Sequence, residues 1–281
     1  PGPGVSLGQQ VERLAADIRD LVQAHPGAAP VLVDLLPSCP GHRISPEASL
    51  DQMLAAPAAA AAPDLASALA AVRCGVPVVN FTPNCVALPA VAAAAEAAGI
   101  PLAGRDGKSG QTYFKVVLAS AFKARRLYVD GWYSLNILGN ADGANLMDPA
   151  CAAGKFVNKT QLLDDVLGYP VGERYGRGSH KVHIDFYPPR GDAKEAWDVI
   201  DLQGLFGLPM SIRVNLQGRD SILAAPMAID LARWAAAARE AGLGGARPEL
   251  AFFFKKPEGD GAPVTFQDQL ARLEAFGDRL A

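Results

Sequence analysis

No lysine precedes Lys108, although arginine occurs along the whole chain; 17 arginines stand against nine lysines. A surplus of basic charge is missing too, since 26 basic and 29 acidic residues leave a net charge of −3. Such a balance offers no cationic surface to a phosphate backbone, which excludes nucleic acid as a partner. No apolar run has the length of a membrane span. The most apolar stretch, residues 55–72, is mostly alanine and is broken by Pro57, Pro63 and Asp64. The four cysteines form no C-x-x-C pair and follow no secretory signal, as expected for free thiols in a reducing cytoplasm. His180 and His183 lie three apart in an alternating segment and point to opposite faces, so no shared metal is expected. With half of the residues hydrophobic and 20% charged, disorder is excluded and a sizeable core is implied.

The first hundred residues alternate between helical and short buried patterns. Leu7, Val11, Leu14, Ile18 and Leu21 form a helical stripe behind Ser6, a candidate cap. Ala29–Leu36, Pro77–Phe81 and Ile100–Leu102 read as buried strands, separated by helices near 63–73 and 86–98. This order indicates parallel α/β structure. Residues 109–125 predict a helix with Phe114, Val117, Leu118, Ala121 and Phe122 on its apolar face. Three segments then alternate with period two. Leu127, Val129, Tyr133, Leu135 and Ile137 oppose Asp130, Ser134 and Asn136. Val182, Ile184 and Phe186 oppose Lys181, His183 and Asp185. Ile212, Val214 and Leu216 oppose Arg213, Asn215 and Gln217. These suggest a mixed or antiparallel sheet covered on one side, its polar face a catalytic cavity or a subunit interface. A helix from Ser221 containing Pro226, a buried strand at Leu250–Phe254 and a helix over 265–279 complete the chain.

Gly104–Thr112 superficially resembles a P-loop, but the first glycine that motif requires is replaced by Leu102. What remains is a glycine-rich turn into a helix, whose free N–H groups make Ser109, Gly110, Gln111 and Thr112 a candidate phosphate cradle or an ordinary loop-to-helix junction. Gly139–Asn145 gathers Asn140, Asp142 and Asn145 after a strand, which is turn chemistry or a site at a strand end. In a chain that prefers arginine, a retained lysine serves where arginine cannot: as a proton carrier or a compact point charge. Lys159 stands just before a helix expected to open at Thr160, Lys194 ends the turn Gly191–Lys194, and Lys255 follows the run Ala251–Phe254. No strand is followed by G-x-G-x-x-G.

Five stretches together resemble the myo-inositol-1-phosphate synthase family, in particular its bacterial and archaeal branch: Val79–Asn84, Gly104–Thr112, Leu138–Leu146, Gly191–Lys194 and Arg219–Pro226. The resemblance implies a cytoplasmic, homotetrameric enzyme that uses NAD to convert glucose 6-phosphate to 1D-myo-inositol 3-phosphate. Its route is redox-neutral: oxidation at C5, enolisation, intramolecular aldol closure and reduction. Relatives acting on another sugar phosphate, such as fructose 6-phosphate, would carry the same lysines. A non-catalytic oligomerisation or regulatory subunit is the rival of a different class. By motif, Lys155 would shuttle the C5 hydroxyl proton and Lys255 would stabilise the same oxygen. Lys194, oriented by Asp220, would stabilise the aldol oxygen at C1. Lys159 and Ser109–Thr112 would hold the phosphate, while Asp106, Asn140 and Asp142 would meet substrate hydroxyls, nicotinamide or the lysines. Ser38, Asn80, Lys108 and Asp192 would join Asp142 on the cofactor side.

The implied fold is α/β: an incomplete Rossmann-type parallel sheet (1–104), a mixed-sheet α+β catalytic and oligomerisation domain (105–217), and C-terminal elements returning to the nucleotide domain (218–281). The family's first strand and glycine-rich turn are expected upstream of Pro1. Val33–Ser38 departs from the family's more polar strand end. The glycines between 154 and 178 suggest a segment that folds over substrate.

Overall fold

Ser6 opens the first helix with a reciprocal capping box: its side chain accepts from the Gln9 N–H, and the Gln9 side chain accepts from the Ser6 N–H. The computed structural model describes residues 4–39 and 41–281, without the side chains of 152–160. Its helices are α1 (Leu7–Ala24), α2 (Leu50–Ala55), α3 (Pro63–Arg73), α4 (Pro89–Ala97), α5 (Gln111–Ala124), α6 (Ala141–Asn145), α7 (Pro149–Leu167), α8 (Asp220–Glu240) and α9 (Phe266–Leu280). Its strands are β1 (Leu32–Asp34), β2 (Val78–Asn80), β3 (Pro101–Gly104), β4 (Tyr128–Leu138), β5 (His180–Phe186), β6 (Lys194–Gln203), β7 (Pro209–Gly218) and β8 (Gly245–Ala246).

The chain divides into two units, one holding the described residues up to Gly107 with Met227–Ala262 and Glu274–Ala281, the other Lys108–Pro226 with Pro263–Leu273. In the first unit, strands in the order β1-β2-β3-β8 form an entirely parallel sheet. Its core packs Leu7, Val11, Met53, Leu65, Leu69, Val78, Val91 and Leu102. Alanine supplies much of the rest, which lets α1 and α3 lie close together. The first strand is shorter than its apolar run suggests: Leu35 and Leu36 are exposed. The run at 250–254 is not a strand. Pro248–Phe253 forms a 3₁₀ turn, and the fourth strand is Gly245–Ala246 instead. Pro248, with no N–H to donate, starts that turn.

In the second unit the sheet order is β5-β4-β6-β7; β5 runs parallel to β4, and the other pairs are antiparallel. An irregularity between Val129 and Gly131 shifts the register of β4 against β6. Beyond it the polar set of β4 is the buried one: Ser134 and Asn136 are almost inaccessible, whereas Tyr133 is 45% exposed. The face expected to be the core of β4 therefore points outward. The helix facing this sheet is turned as well. Gln111, Thr112, Lys115, Val116, Ala119, Ser120 and Phe122 are its buried residues, and Phe114 is exposed. Polar side chains on α5 thus meet polar side chains of the sheet, Gln111 on Asp198 of β6 and Lys115 on His180 of β5. Phe122, Trp132, Leu163, Val166 and Ile200 seal the apolar end of this layer.

Two further differences concern helix starts and composition. α7 begins at Pro149 behind Asp148, whose side chain accepts from the Ala150 N–H at 2.8 Å. Thr160 therefore lies inside the helix, and Lys159 is not at its positive end. α8 is, by length and composition alone, apolar enough to cross a bilayer. It also contains Pro226 and begins at Asp220.

Candidate functional site

In the first unit, Asp106 and Lys255 are brought together by a short pairing of two backbone segments. The Arg105 N–H donates to the Lys256 carbonyl, the Lys255 N–H donates to the Asp106 carbonyl at 2.7 Å, and the Glu258 N–H donates to the Gly104 carbonyl. Gly107 is bridged to Phe254, and a Cβ at Gly107 would lie 2.1 Å from the Phe81 ring, so only glycine fits. Asp106 itself adopts a left-handed backbone (φ 62°), a conformation asparagine and aspartate tolerate best among non-glycine residues. The result is an ion pair: Lys255 Nζ lies 2.6 Å from Asp106 Oδ1, with Asp106 buried and Lys255 mostly so. The other oxygen, Asp106 Oδ2, is buried without a partner.

The carboxyl ends of β1 and β2 carry a second polar cluster. The Asn80 carboxamide is committed to its own loop, donating to the Asn84 carbonyl at 2.6 Å and accepting from the Thr82 N–H and hydroxyl. Asn84 donates to Asp64 at 2.6 Å and accepts from the Cys39 N–H. Ser38 is buried, and its chain neighbours Pro37 and Cys39 both bond the Asn84 carboxamide. Asp34, at the end of β1, keeps Oδ2 unpartnered. Burial, and then the nearby Asp64 charge, push its carboxyl up to about 6.

That shift has a testable consequence. A folded-state pKa above the unfolded value means that Asp34 binds its proton more tightly in the native protein. The associated stability is present below about pH 4 and is lost as pH rises through about 6. Asp34→Asn keeps an acceptor for the Leu36 N–H and removes the charge. We expect it to raise stability by about 1–2 kcal/mol at pH 8 and by much less at pH 4, as read by thermal melting at both values. A variant that melts below the wild type at pH 8 contradicts this.

In the second unit, the register places Leu138, Lys194 and Gly218 side by side at one end of the mixed sheet. The loops leaving this end carry most of the remaining candidates. Lys194 Nζ lies 2.8 Å from Asp220 Oδ2, and Ser109 Oγ reaches Asp220 Oδ1 at 3.5 Å, the limit of a hydrogen bond. Asp192 accepts from the Ser221 hydroxyl at 2.9 Å and more weakly from the Asn140 amide at 3.4 Å. Asn140 also caps α6 by accepting from the Gly143 N–H, and Asp142 stands in the first turn of that helix. α5 starts after Gly110 (φ 59°) with no side chain capping it. Its first N–H groups therefore have no competing side-chain acceptor, as an anion cradle needs. Lys108 is buried against the Gln269 carboxamide, and burial pushes its ammonium down to about 7. Lys155 and Lys159 lie on the α7 backbone, but their side chains fall outside the described residues.

Sequence reading missed a buried polar group in this unit: Lys115, His180 and Asp198. Thr112, Lys115 and Ala119 recur at helical spacing, and this small or polar stripe was the available signal. The histidines do lie on opposite faces. His180 meets Lys115 at 2.7 Å, while His183 packs against Tyr133 outside. Among the described residues, no group of three or more metal-ligating side chains is present, and the four cysteines are unbridged.

Comparison with known proteins places this geometry. Residues 110–221 match the family model described as myo-inositol-1-phosphate synthase. Inositol-3-phosphate synthase 1 of Bacteroides thetaiotaomicron is 46% identical over 202 residues, covering 70% of this chain and 47% of that protein. The Saccharomyces cerevisiae inositol-3-phosphate synthase is 33% identical over 174 residues, 60% of this chain and 33% of its own. The chain thus spans less than half the length of these relatives. A crystal structure of the Caenorhabditis elegans inositol-3-phosphate synthase superposes with a TM-score of 0.86 at 23% identity, over 99% of this chain and 58% of that one. This last likeness establishes the α/β fold.

Proposed function

From the chain's kinship with the myo-inositol-1-phosphate synthase family, we propose that it is the catalytic part of an NAD-using isomerase. The reaction is the cyclisation of glucose 6-phosphate to 1D-myo-inositol 3-phosphate. The observation that carries the reading is the pairing of the two described catalytic candidates among the lysines each with one carboxylate of its own unit, Lys255 with Asp106 and Lys194 with Asp220. Such a pair holds the ammonium oriented where an oxyanion can develop beside it.

Substrate and product have the same composition, so the protein's task is to move protons and to stabilise transient negative oxygens. Lys255, steadied by Asp106, stabilises the C5 oxygen, whose proton Lys155 shuttles. Lys194, steadied by Asp220, stabilises the C1 oxygen as the aldol bond forms. The start of α5 at Ser109, Gly110, Gln111 and Thr112, with Lys159, holds the phosphate, and Asn140 meets a substrate hydroxyl. Bound NAD supplies a reversible hydride acceptor. The parallel sheet suits a nucleotide, because ligands of open α/β sheets lie at the carboxyl ends of the strands. There the unpartnered Asp34 Oδ2 fits a ribose hydroxyl and is unsuited to a phosphate. Ser38, Asn80, Lys108, Asp142 and Asp192 complete the proposed cofactor set. The outward sheet face, with Tyr133 and Trp197 about half exposed, is the surface we assign to a homotetramer, in the cytoplasm.

Incubating the full-length protein with NAD and glucose 6-phosphate, and identifying the product by NMR, tests the proposal. A myo-inositol phosphate is the expected product. A five-membered cyclitol formed from fructose 6-phosphate would move the substrate assignment, and cyclisation of neither sugar would leave a non-catalytic subunit.

A further inference from the structure

The mechanism above makes no use of Asp198, a carboxylate that is only 5% exposed. Three donors converge on it from two other elements. Trp132 Nε1 and Ser134 Oγ, both on β4, reach Oδ1 at 2.7 and 2.5 Å, and Gln111 Nε2, on the first residue of α5, reaches Oδ2 at 2.9 Å. Asp198 itself is carried by β6, so one side chain ties the start of α5 to two central strands.

The start of α5 needs such a tie. A helix ordinarily fixes its entry with a capping side chain that bonds the first free N–H groups. A cap of that kind would occupy the donors that an incoming anion requires. Here no side chain caps α5, and the first residue is held from its other side, through the Gln111 carboxamide. The device leaves a buried negative charge close to a helix terminus assigned to a phosphate, and such a charge needs an offsetting cation. Lys115 supplies it one turn along α5: the side chain is wholly buried, its Nζ is 2.7 Å from His180 Nε2, and it lies 5.6 Å from the centre of the Trp132 ring. Burial pushes the Lys115 ammonium down to about 8, and the Asp198 carboxylate opposes that fall.

We propose that Asp198 is the positioning residue of the α5 anion cradle, acting through Gln111, with Lys115 on His180 as its buried counter-cation. This rests on the phosphate role assigned to the start of α5. Asp198→Asn is nearly isosteric. It retains an acceptor for Trp132 and Ser134 but removes the charge, so that Gln111 keeps at best a neutral bond made with its carboxamide turned over. Glucose 6-phosphate binding by calorimetry and steady-state turnover of the full-length protein read the effect. The expected result is about tenfold weaker binding and a matching rise in KM, with kcat within about threefold. A double-mutant cycle separates positioning from general support of the fold. Gln111→Met should weaken binding similarly while leaving Asp198 with its two β4 donors, and Asp198→Asn should add nothing to it. Unchanged affinity in Asp198→Asn, or losses that add across the cycle, overturns the inference while leaving the proposed function standing. Should Asp198→Asn not fold, unchanged affinity in Gln111→Met overturns it equally. A wild-type protein that binds neither glucose 6-phosphate nor inorganic phosphate removes the cradle, and this inference with it.

Discussion

Lys194→Met is expected to lower turnover about a thousandfold while the protein stays folded. Removing one preorganised donor from a developing oxyanion typically costs 10²–10³ in kcat, about 3–4 kcal/mol. Lys194 has little else to do. It is the first residue of β6, its side chain is 18% exposed, and Asp220 is the partner the structure gives it. Methionine keeps much of the aliphatic stem that packs at the strand end. Losing a partly exposed ion pair costs stability only about 1 kcal/mol. Asp220→Asn should be milder, because the ammonium remains and only its orientation is relaxed. The measurement is inositol phosphate formed by the full-length protein, with melting curves alongside. Turnover of Lys194→Met within tenfold of the wild type would remove Lys194 from the chemistry.

Those lysines were legible in the sequence because composition made them stand out, and their carboxylate partners because the motifs carried them. Local signals served the helices equally well. The stripe behind Ser6 and the alanine-rich composition near 63–73 gave α1 and α3 nearly to the residue. Signals that depend on tertiary partners were ambiguous. Ala251–Phe254 is apolar and buried, and a 3₁₀ turn packed in a core has that composition as readily as a strand does. Thr160 resembles a helix cap, but Asp148 and Pro149 start the helix eleven residues earlier. The face of β4 was misjudged for a deeper reason. Alternation tells which residues share a side, not which side is covered, and here the covered side carries Trp132 and Ser134 bonded to Asp198, with Asn136 buried beside them in the strand. The same inversion hid Lys115, since a fully buried ammonium is paid for by partners on other strands.

Gly139→Ala is expected to be strongly damaging for a single-methyl substitution, lowering stability by about 3 kcal/mol or more. A Cβ at Gly139 would lie 2.4 Å from the Gly191 nitrogen, 2.7 Å from the Tyr187 carbonyl oxygen and 2.9 Å from the Arg190 carbonyl carbon. All three are backbone atoms, so no rotamer change relieves the overlap. The turn they belong to is fastened to the end of β4 by the Tyr187 N–H donating to the Leu138 carbonyl at 2.7 Å. The methyl group must therefore push the 187–191 turn away from the strand. Asp192 and Lys194 follow that turn directly, so the displacement reaches the Lys194–Asp220 ion pair proposed for catalysis as well as the fold. Turnover should consequently fall further than the fraction unfolded accounts for. Gly178→Ala is the control: a Cβ there meets nothing within 4 Å, and its stability should stay within about 0.5 kcal/mol of the wild type. Denaturant unfolding of both variants decides the matter. Equal midpoints would mean that the two backbone segments are not in contact at Gly139, and with that the route by which the turn fixes Lys194 would be lost.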